Sequence, residues 1–263
     1  MTPARLNRII AWSLLVFLVA PALIAIPVSL TSQNYLSLPW DGLSLQYYRE
    51  VFTSPDWMSS FFQSSIIGLT SAALATVMGT LAAVGLWRVS SRWGEVLRGF
   101  LLLPLVIPPI IAAMAFYRLY FPLRLIDTYT GLILAHAVLA APLVLITVGA
   151  SLAGFDRRLE QASRNLGASA GQTLWRVILP SIRPGVISGA VFAFIASWDE
   201  IVVTLFLSKF SVYTLPRRMW NGIRENTDPA VAAAAVILLV VTFAAFLIWA
   251  LLQRRARRAR APT

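Results

Sequence analysis

Six long apolar runs set the hydrophobic pattern of the chain, near residues 9–30, 61–87, 99–119, 131–154, 186–208 and 230–252. An α-helix needs about 20 residues to cross the ~30 Å hydrocarbon core of a bilayer, and each run is long enough for this. In lipid the backbone must satisfy its own hydrogen bonds, so runs of this length are expected to be helical. The pattern therefore predicts an all-α integral membrane protein with six transmembrane helices, forming a single domain over residues 1–263.

Prolines and glycines within the apolar runs indicate how the helices bend and pack. Prolines interrupt three of the runs at Pro21, Pro104, Pro108, Pro109 and Pro142. A proline removes one hydrogen bond of a helix and bends it, which favours a bundle around a cavity over straight rods. Glycines occur in the second and fifth runs at Gly68, Gly79, Gly85, Gly185 and Gly189. Small residues let helices approach closely within a membrane.

Composition supports a membrane protein and excludes several kinds of site. Hydrophobic residues make up 58% of the chain and charged residues only 13%, about half the charged fraction of a soluble domain. The chain has no cysteine and one histidine. Disulfides, thiolate metal sites and histidine-rich metal sites are therefore excluded, and we expect neither a metal nor another cofactor.

The net charge of +11 reflects membrane topology rather than nucleic-acid binding. If both termini are cytoplasmic, most of the 22 Lys and Arg residues lie in inner loops and tails, as the positive-inside rule requires. The C-terminal tail is especially basic, with Arg254, Arg255, Arg257, Arg258 and Arg260. We expect it to contact anionic lipid headgroups. The chain is therefore expected to cross a membrane several times, with both termini cytoplasmic, and to have no nucleic-acid partner.

The loop between the fourth and fifth runs, residues 156–184, has the pattern of two short amphipathic helices around a glycine. Leu159, Ala162 and Leu166 share one helical face, and a second face contains Leu174, Val177 and Ile178. Gly167 is suited to the left-handed conformation that ends a helix. A helix pair of this kind, projecting from a membrane domain, gives a motor protein an apolar side to grip.

Residues 159–169, followed by Leu179 and Pro180, resemble the EAA loop of ABC importer permeases. The resemblance holds at Ala162, Gly167, Ala168, Leu179 and Pro180, whereas the family usually has Glu at the position of Gln161 and Ala at that of Ser163. It implies a type I ABC importer permease fold in the bacterial inner membrane, in which this loop is a coupling helix between spans 4 and 5. The residues expected to couple to the ATPase are Glu160, Gln161, Ala162, Gly167, Ala168, Leu179 and Pro180.

The resemblance also implies the partners. They are a cytoplasmic ABC ATPase dimer, a periplasmic substrate-binding protein and a second permease subunit, expected to be a different chain, although a second copy of this one is an alternative. Residues 197–207 and 214–224 look most like the second permease subunit of spermidine/putrescine transporters, which implies a small cationic solute such as a polyamine. Relatives with the same segments carry opines, aminophosphonates, amino-acid-like solutes or iron, so these remain alternatives.

Two acids lie inside the fifth apolar run. An ionisable residue at membrane depth costs about 2.5–3.5 kcal/mol and usually faces a cavity or a partner. On a continuous helix, Ser197, Glu200 and Thr204 would form one polar stripe. We expect this stripe, with Asp199, to line the translocation path and attract a cation; the alternative is a structural pair that binds an arginine. His136, in the fourth run, is expected to be packed and hydrogen-bonded rather than to relay protons.

Missing motifs narrow the function further. The sequence has no Gly-x4-Gly-Lys-Ser/Thr phosphate loop, so an ATP-driven transporter would need a separate ATPase chain. It also lacks the nucleophile elbow and the zinc motif of membrane hydrolases, and we expect no enzyme active site. An ion-coupled secondary transporter and a membrane scaffold are competing possibilities. Transport that depends on an ATPase would distinguish an ABC importer from an ion-coupled transporter. Loss of transport when the loop is cut would distinguish it from a membrane scaffold.

Overall fold

A computed structural model describes residues 3–89, 92–226 and 228–258, with side chains between residues 5 and 251 except 225 and 226. Helices make up most of these ranges, and no strand occurs within them. They are α1 Pro3–Leu23, α2 Ala25–Val28, α3 Gln46–Thr53, α4 Pro55–Arg88, α5 Arg92–Val106, α6 Pro109–Tyr120, α7 Tyr129–Ala153, α8 Arg157–Asn165, α9 Ala170–Thr173, α10 Leu179–Trp198, α11 Val202–Leu207, α12 Leu215–Asn221 and α13 Ala230–Arg258. The side chains of the basic tail and all of Arg260 lie outside the described residues.

The helices agree with the predicted all-α membrane fold. Five continuous helical stretches in the described chain are long and apolar enough to cross a membrane: Arg5–Val28, Pro55–Arg88, Tyr129–Ala153, Ala170–Trp198 and Ala230–Leu251. A sixth span is obtained when α5 and α6 are counted together, although they meet at an angle of 103°.

The third apolar run therefore differs from the single span predicted near 99–119. Helix α5 ends at Val106, and Pro108 precedes α6 with the extended angles φ −54° and ψ 134°. Proline disfavours the helical conformation of the residue before it, and Pro108 itself precedes Pro109, which occupies the first turn of α6. Two successive prolines break the run instead of only bending it.

The chain divides into two compact units, Met1–Phe61 with Arg217–Thr242 and Phe62–Pro216 with Phe243–Thr263. In the first unit, Arg218 lies 3.8 Å from the carboxylate of Asp56, donates a 2.6 Å hydrogen bond to Ser60 and approaches the ring of Trp57. The Ser29 and Tyr48 hydroxyls are 2.7 Å apart. Residues distant in sequence thus hold the first unit together. That residues 1–263 act as a single permease domain remains a prediction.

Helix α7 runs through the core of the second unit. Its residues Ala137, Val144 and Val148 are fully buried, in a cluster that also contains Ile178 and Ile182. A Cβ atom at Gly79, Gly185 or Gly189 would lie less than 3 Å from atoms of α7. These three glycines are therefore required for the close approach of α4 and α10 to α7, as their small size predicts. Gly85, in contrast, has open space around it.

Candidate functional site: the coupling loop and the broken fifth span

The loop after α7 forms the predicted pair of short helices. Asp156 caps α8, because its carboxylate accepts a hydrogen bond from the backbone N–H of Arg158. Gly167 ends this helix with φ +86°, the left-handed conformation that its position predicts. Ser169 and Gln172 then form a capping box at the start of α9. One π-helical turn, Leu174–Ile178, joins α9 to α10.

The predicted coupling residues separate into an outer and a basal group. Gln161, Ala162 and Gly167 are exposed, whereas Ala168, Leu179 and Pro180 are half-buried. Leu179 packs against the core cluster around α7. The outer group is available to a partner, and the basal group connects the loop to the membrane helix α10.

Three side chains of the loop form an exposed apolar surface. Leu159 is 50% exposed, Leu166 88% and Trp175 72%. Such a surface on a solvent-facing loop is typical of a protein interface. The second predicted apolar face is different, because Ile178 is fully buried while Leu174 and Val177 are half-buried. Trp175, one residue away from that face, was not predicted to contribute to the surface.

Two long-range contacts fasten α8 to the end of α4. The Glu160 carboxylate lies 3.7 Å from the Arg88 guanidinium and 2.9 Å from that of Arg164. Arg157 lies over the ring of Trp87, 4.7 Å from its centroid, and donates a 3.3 Å hydrogen bond to the Trp87 carbonyl. Glu160 thus belongs to the attachment of the coupling loop rather than to its exposed surface.

The fifth apolar run is also broken, and this corrects the continuous polar stripe predicted from helical spacing. Helix α10 ends at Trp198, and α11 begins only at Val202. The Glu200 carboxylate accepts a 2.9 Å hydrogen bond from the N–H of Val203 and so caps the first turn of α11. No proline announces this break. Two consecutive carboxylates, which are poor residues for a buried helix interior, occupy it instead.

The four residues predicted to line a path have different environments. Ser197 and Thr204 are buried, Glu200 is half-buried and Asp199 is exposed. The two hydroxyl residues both contact His136 of α7: Ser197 Oγ lies 2.8 Å from Nδ1, and Thr204 Oγ1 lies 3.1 Å from Nε2. The prediction that His136 is packed and hydrogen-bonded is confirmed.

Glu200 borders a cavity of about 200 Å³. The proline break between α5 and α6 contributes Pro104, Ile107 and Pro109 to the wall, and α7 contributes His136 and Leu143. The two broken helices of the second unit thus meet at one cavity, whose mostly apolar wall contains one carboxylate, Glu200, beside the polar side chains of His136 and Ser197. A carboxylate in such surroundings attracts a cation or a hydrogen-bond donor.

Asp127, between α6 and α7, was not recognised from the sequence. Its carboxylate accepts hydrogen bonds of 2.7–3.3 Å from the backbone N–H groups of Lys209, Phe210, Ser211 and Val212. Partial burial acts to raise its pKa, but these four N–H groups outweigh that effect and lower the pKa to about 2. A charged carboxylate therefore fastens the segment after α11.

The sequence is similar to those of known transport proteins. The model of the family described as "Binding-protein-dependent transport system inner membrane component" matches residues 75–258. The spermidine/putrescine transport system permease protein PotC of Haemophilus influenzae is 31% identical over 239 residues, which are 91% of this chain and 93% of PotC. The putrescine transport system permease protein PotI of Escherichia coli K12 is 30% identical over 252 residues, covering 92% of this chain and 89% of PotI.

Solved structures share the fold. A chain of a bacterial ABC transporter that imports the acidic polysaccharide alginate has a TM-score of 0.70 at 18% identity, covering 98% of this chain and 95% of that chain. The methionine ABC transporter MetNI, in inward-facing conformations, has a TM-score of 0.66 at 18% identity, covering 80% of this chain and 100% of that chain.

Proposed function

Because this chain belongs to the family of binding-protein-dependent transport system inner membrane components, and is thus a permease subunit of an ABC importer, we propose that it carries a small cationic solute such as a polyamine. It forms half of the translocation path, and a second permease subunit forms the other half. The relatives PotC and PotI are named for spermidine and putrescine. Opines, aminophosphonates, amino-acid-like solutes and iron are the alternative cargoes.

Glu200 carries this proposal, because it places a carboxylate at a cavity between two broken helices. A polyamine bears several ammonium groups, and a carboxylate in a low-dielectric wall stabilises such a cation more than it would in water. The exposed Asp199 adds a second charge nearby in sequence. One or two carboxylates favour weak binding, which lets the solute leave the path.

Energy comes from a separate ATPase dimer in the cytoplasm. The surface formed by Leu159, Leu166 and Trp175 is the docking site on this chain, and Gln161, Ala162 and Gly167 lie beside it. This assignment puts the loop 156–184 and both termini on the cytoplasmic side. Binding of a loaded periplasmic protein outside and closure of the ATPases inside then move the loop, and α10 transmits the movement into the membrane.

Uptake into vesicles tests the proposal. The complex, with its ATPase, partner permease and binding protein, is reconstituted and given radiolabelled putrescine or spermidine, with and without ATP. We expect uptake that requires both ATP and the binding protein, and Glu200→Gln should lower it about tenfold, since one charge contact of about 1.4 kcal/mol is lost. Glu95→Gln is the control, because Glu95 is an exposed carboxylate on α5 that lies 4.0 Å from Arg98 and does not line the cavity that Glu200 borders.

The outcomes separate the parts of the proposal. ATPase activity that responds to a different loaded binding protein, without polyamine uptake, would keep the importer and discard polyamines. Uptake driven by an ion gradient without ATP would instead identify a secondary transporter. Equal uptake by wild type and by Glu200→Gln would remove Glu200 from the path.

A further inference from the structure

His136 is buried in the membrane helix α7, with 2% of its surface exposed, and its two ring nitrogens contact opposite sides of the break in the fifth run. Ser197 belongs to the last turn of α10, whereas Thr204 belongs to the first turns of α11. His136 Nδ1 lies 2.8 Å from the Ser197 hydroxyl, and Nε2 lies 3.1 Å from the Thr204 hydroxyl. The imidazole therefore connects the two halves of the broken span.

One tautomer of a neutral imidazole satisfies all the hydrogen bonds around His136. The Thr204 hydroxyl has one proton, and it donates this proton to the Glu200 carbonyl at 3.0 Å. In this arrangement Thr204 Oγ1 accepts from His136, and the ring proton is assigned to Nε2. Nδ1 accepts from the Ser197 hydroxyl at 2.8 Å. A series of hydrogen bonds thus runs in one direction, from the Ser197 hydroxyl through His136 and Thr204 to the backbone carbonyl of Glu200.

This series of hydrogen bonds determines how Glu200 is held. Its carbonyl accepts from Thr204, and its carboxylate accepts from the N–H of Val203. Both ends of the residue are therefore attached to the first turn of α11, and His136 attaches that turn to α7. Functional groups are effective only when neighbouring hydrogen bonds hold their direction.

We propose that His136 is a positioning residue, which directs the Glu200 carboxylate into the cavity through Thr204. The inference rests on the proposed function, because it gives Glu200 a role in the path. This positioning role differs from the purely structural role of a buried histidine whose two ring nitrogens are simply hydrogen-bonded. A structural role requires both contacts of the ring equally, whereas positioning of Glu200 depends on the contact to Thr204.

Two substitutions separate the contacts. The terminal amide of Gln reaches the place of Nε2, so His136→Gln retains a donor to Thr204. The amide of Asn reaches only the place of Nδ1, so His136→Asn retains an acceptor for Ser197 and loses Thr204. The readout is the number of putrescine molecules taken up per ATP hydrolysed by the reconstituted complex. Loss of folded complex lowers both quantities together and leaves this ratio unchanged.

We expect His136→Asn to lower the ratio about tenfold and His136→Gln about twofold. Thr204→Val, which keeps the shape and loses the hydroxyl, should behave like His136→Asn, whereas Thr204→Ser should lose much less. Combined with Glu200→Gln, His136→Asn should have little further effect, since both substitutions act through one carboxylate. Equal ratios for the Asn and Gln variants, or an undiminished effect of His136→Asn in the Glu200→Gln background, would overturn the inference.

Failure of the inference and failure of the proposed function remain distinguishable. If Glu200→Gln alone leaves uptake unchanged, the path assignment is wrong and His136 has no carboxylate to direct. If Glu200→Gln lowers uptake but the His136 and Glu200 substitutions act independently, only the positioning role is wrong.

Discussion

The coupling loop, residues 156–184, connects two membrane spans, whereas the break at residues 199–201 divides one span, and the residues that shape them lie at different distances along the chain. In the loop, Gly167, Ser169 and Gln172 act within a few residues of their own positions. At the break, Ser197 and Thr204 are held by His136, which is 61 and 68 residues away in sequence. Local chemistry shapes the first region, and tertiary contacts stabilise the second.

The largest expected effect tests the local region. Gly167 has φ +86°, which costs a residue with a Cβ about 1–2 kcal/mol. Gly167→Asp also places a charge beside the exposed Leu166. We expect it to lower ATP-dependent uptake by about tenfold or more while the protein still inserts into the membrane. Uptake in vesicles, together with the amount of chain in the membrane fraction, measures both.

Gly171→Asp is the matched control for this loop. Gly171 is exposed in α9, a Cβ there has open space, and its φ lies outside the left-handed region. An acid in the first turn of a helix is also favourable. Uptake should therefore remain close to wild type. Equal losses in both variants would attribute the effect to charge, and normal uptake by Gly167→Asp would refute the docking assignment.

The same contrast explains how much of the molecule could be predicted. The apolar runs predicted the membrane helices, and the amphipathic spacing around Gly167 predicted the loop, because each acts through neighbouring residues. The break at residues 199–201 was missed, since helical spacing alone places Ser197, Glu200 and Thr204 on one stripe. Asp127 was missed because its partners, residues 209–212, lie more than 80 positions away. Nothing in a single sequence indicates that these segments meet.

A second prediction tests a long-range contact of this kind. Asp127→Asn replaces a charged acceptor of four backbone N–H groups with a neutral amide. Hydrogen bonds to charged groups contribute about 1.5–3 kcal/mol, so we expect the melting temperature of the purified chain to fall by about 5 °C. Asp156→Asn is the local control, because Asn caps a helix as well as Asp does. Its melting temperature should change by about 1 °C or less.

The pH dependence sharpens this test. The folded state lowers the pKa of Asp127 from 3.8 to about 2, so the stabilisation is complete above pH 4 and is lost as the pH falls through about 2. The melting temperatures of wild type and Asp127→Asn should therefore converge between pH 4 and pH 2. A constant difference over that range would show that the charge of Asp127 does not stabilise the loop.

The smallest expected effect lies in the coupling loop itself, where Glu160 has one local and one long-range partner. Arg164 is four residues away on α8, and Arg88 is on α4. If the long-range pair transmits movement to α4, Glu160→Gln and Arg88→Gln should each lower uptake per ATP, whereas Arg164→Gln should not. Because exposed ion pairs contribute only about 0.2–1 kcal/mol, the loss should be at most about fivefold.

The combination of Arg88→Gln with Glu160→Gln decides between the two partners. If the substitutions remove one shared contact, the double variant should transport as well per ATP as either single variant. A loss equal to the product of the two single losses would mean that the residues act separately. A loss for Arg164→Gln as large as that for Arg88→Gln would mean that α8 needs the pair only for its own helical stability. Glu160 would then stabilise α8 itself and would not transmit movement from the coupling loop to α4.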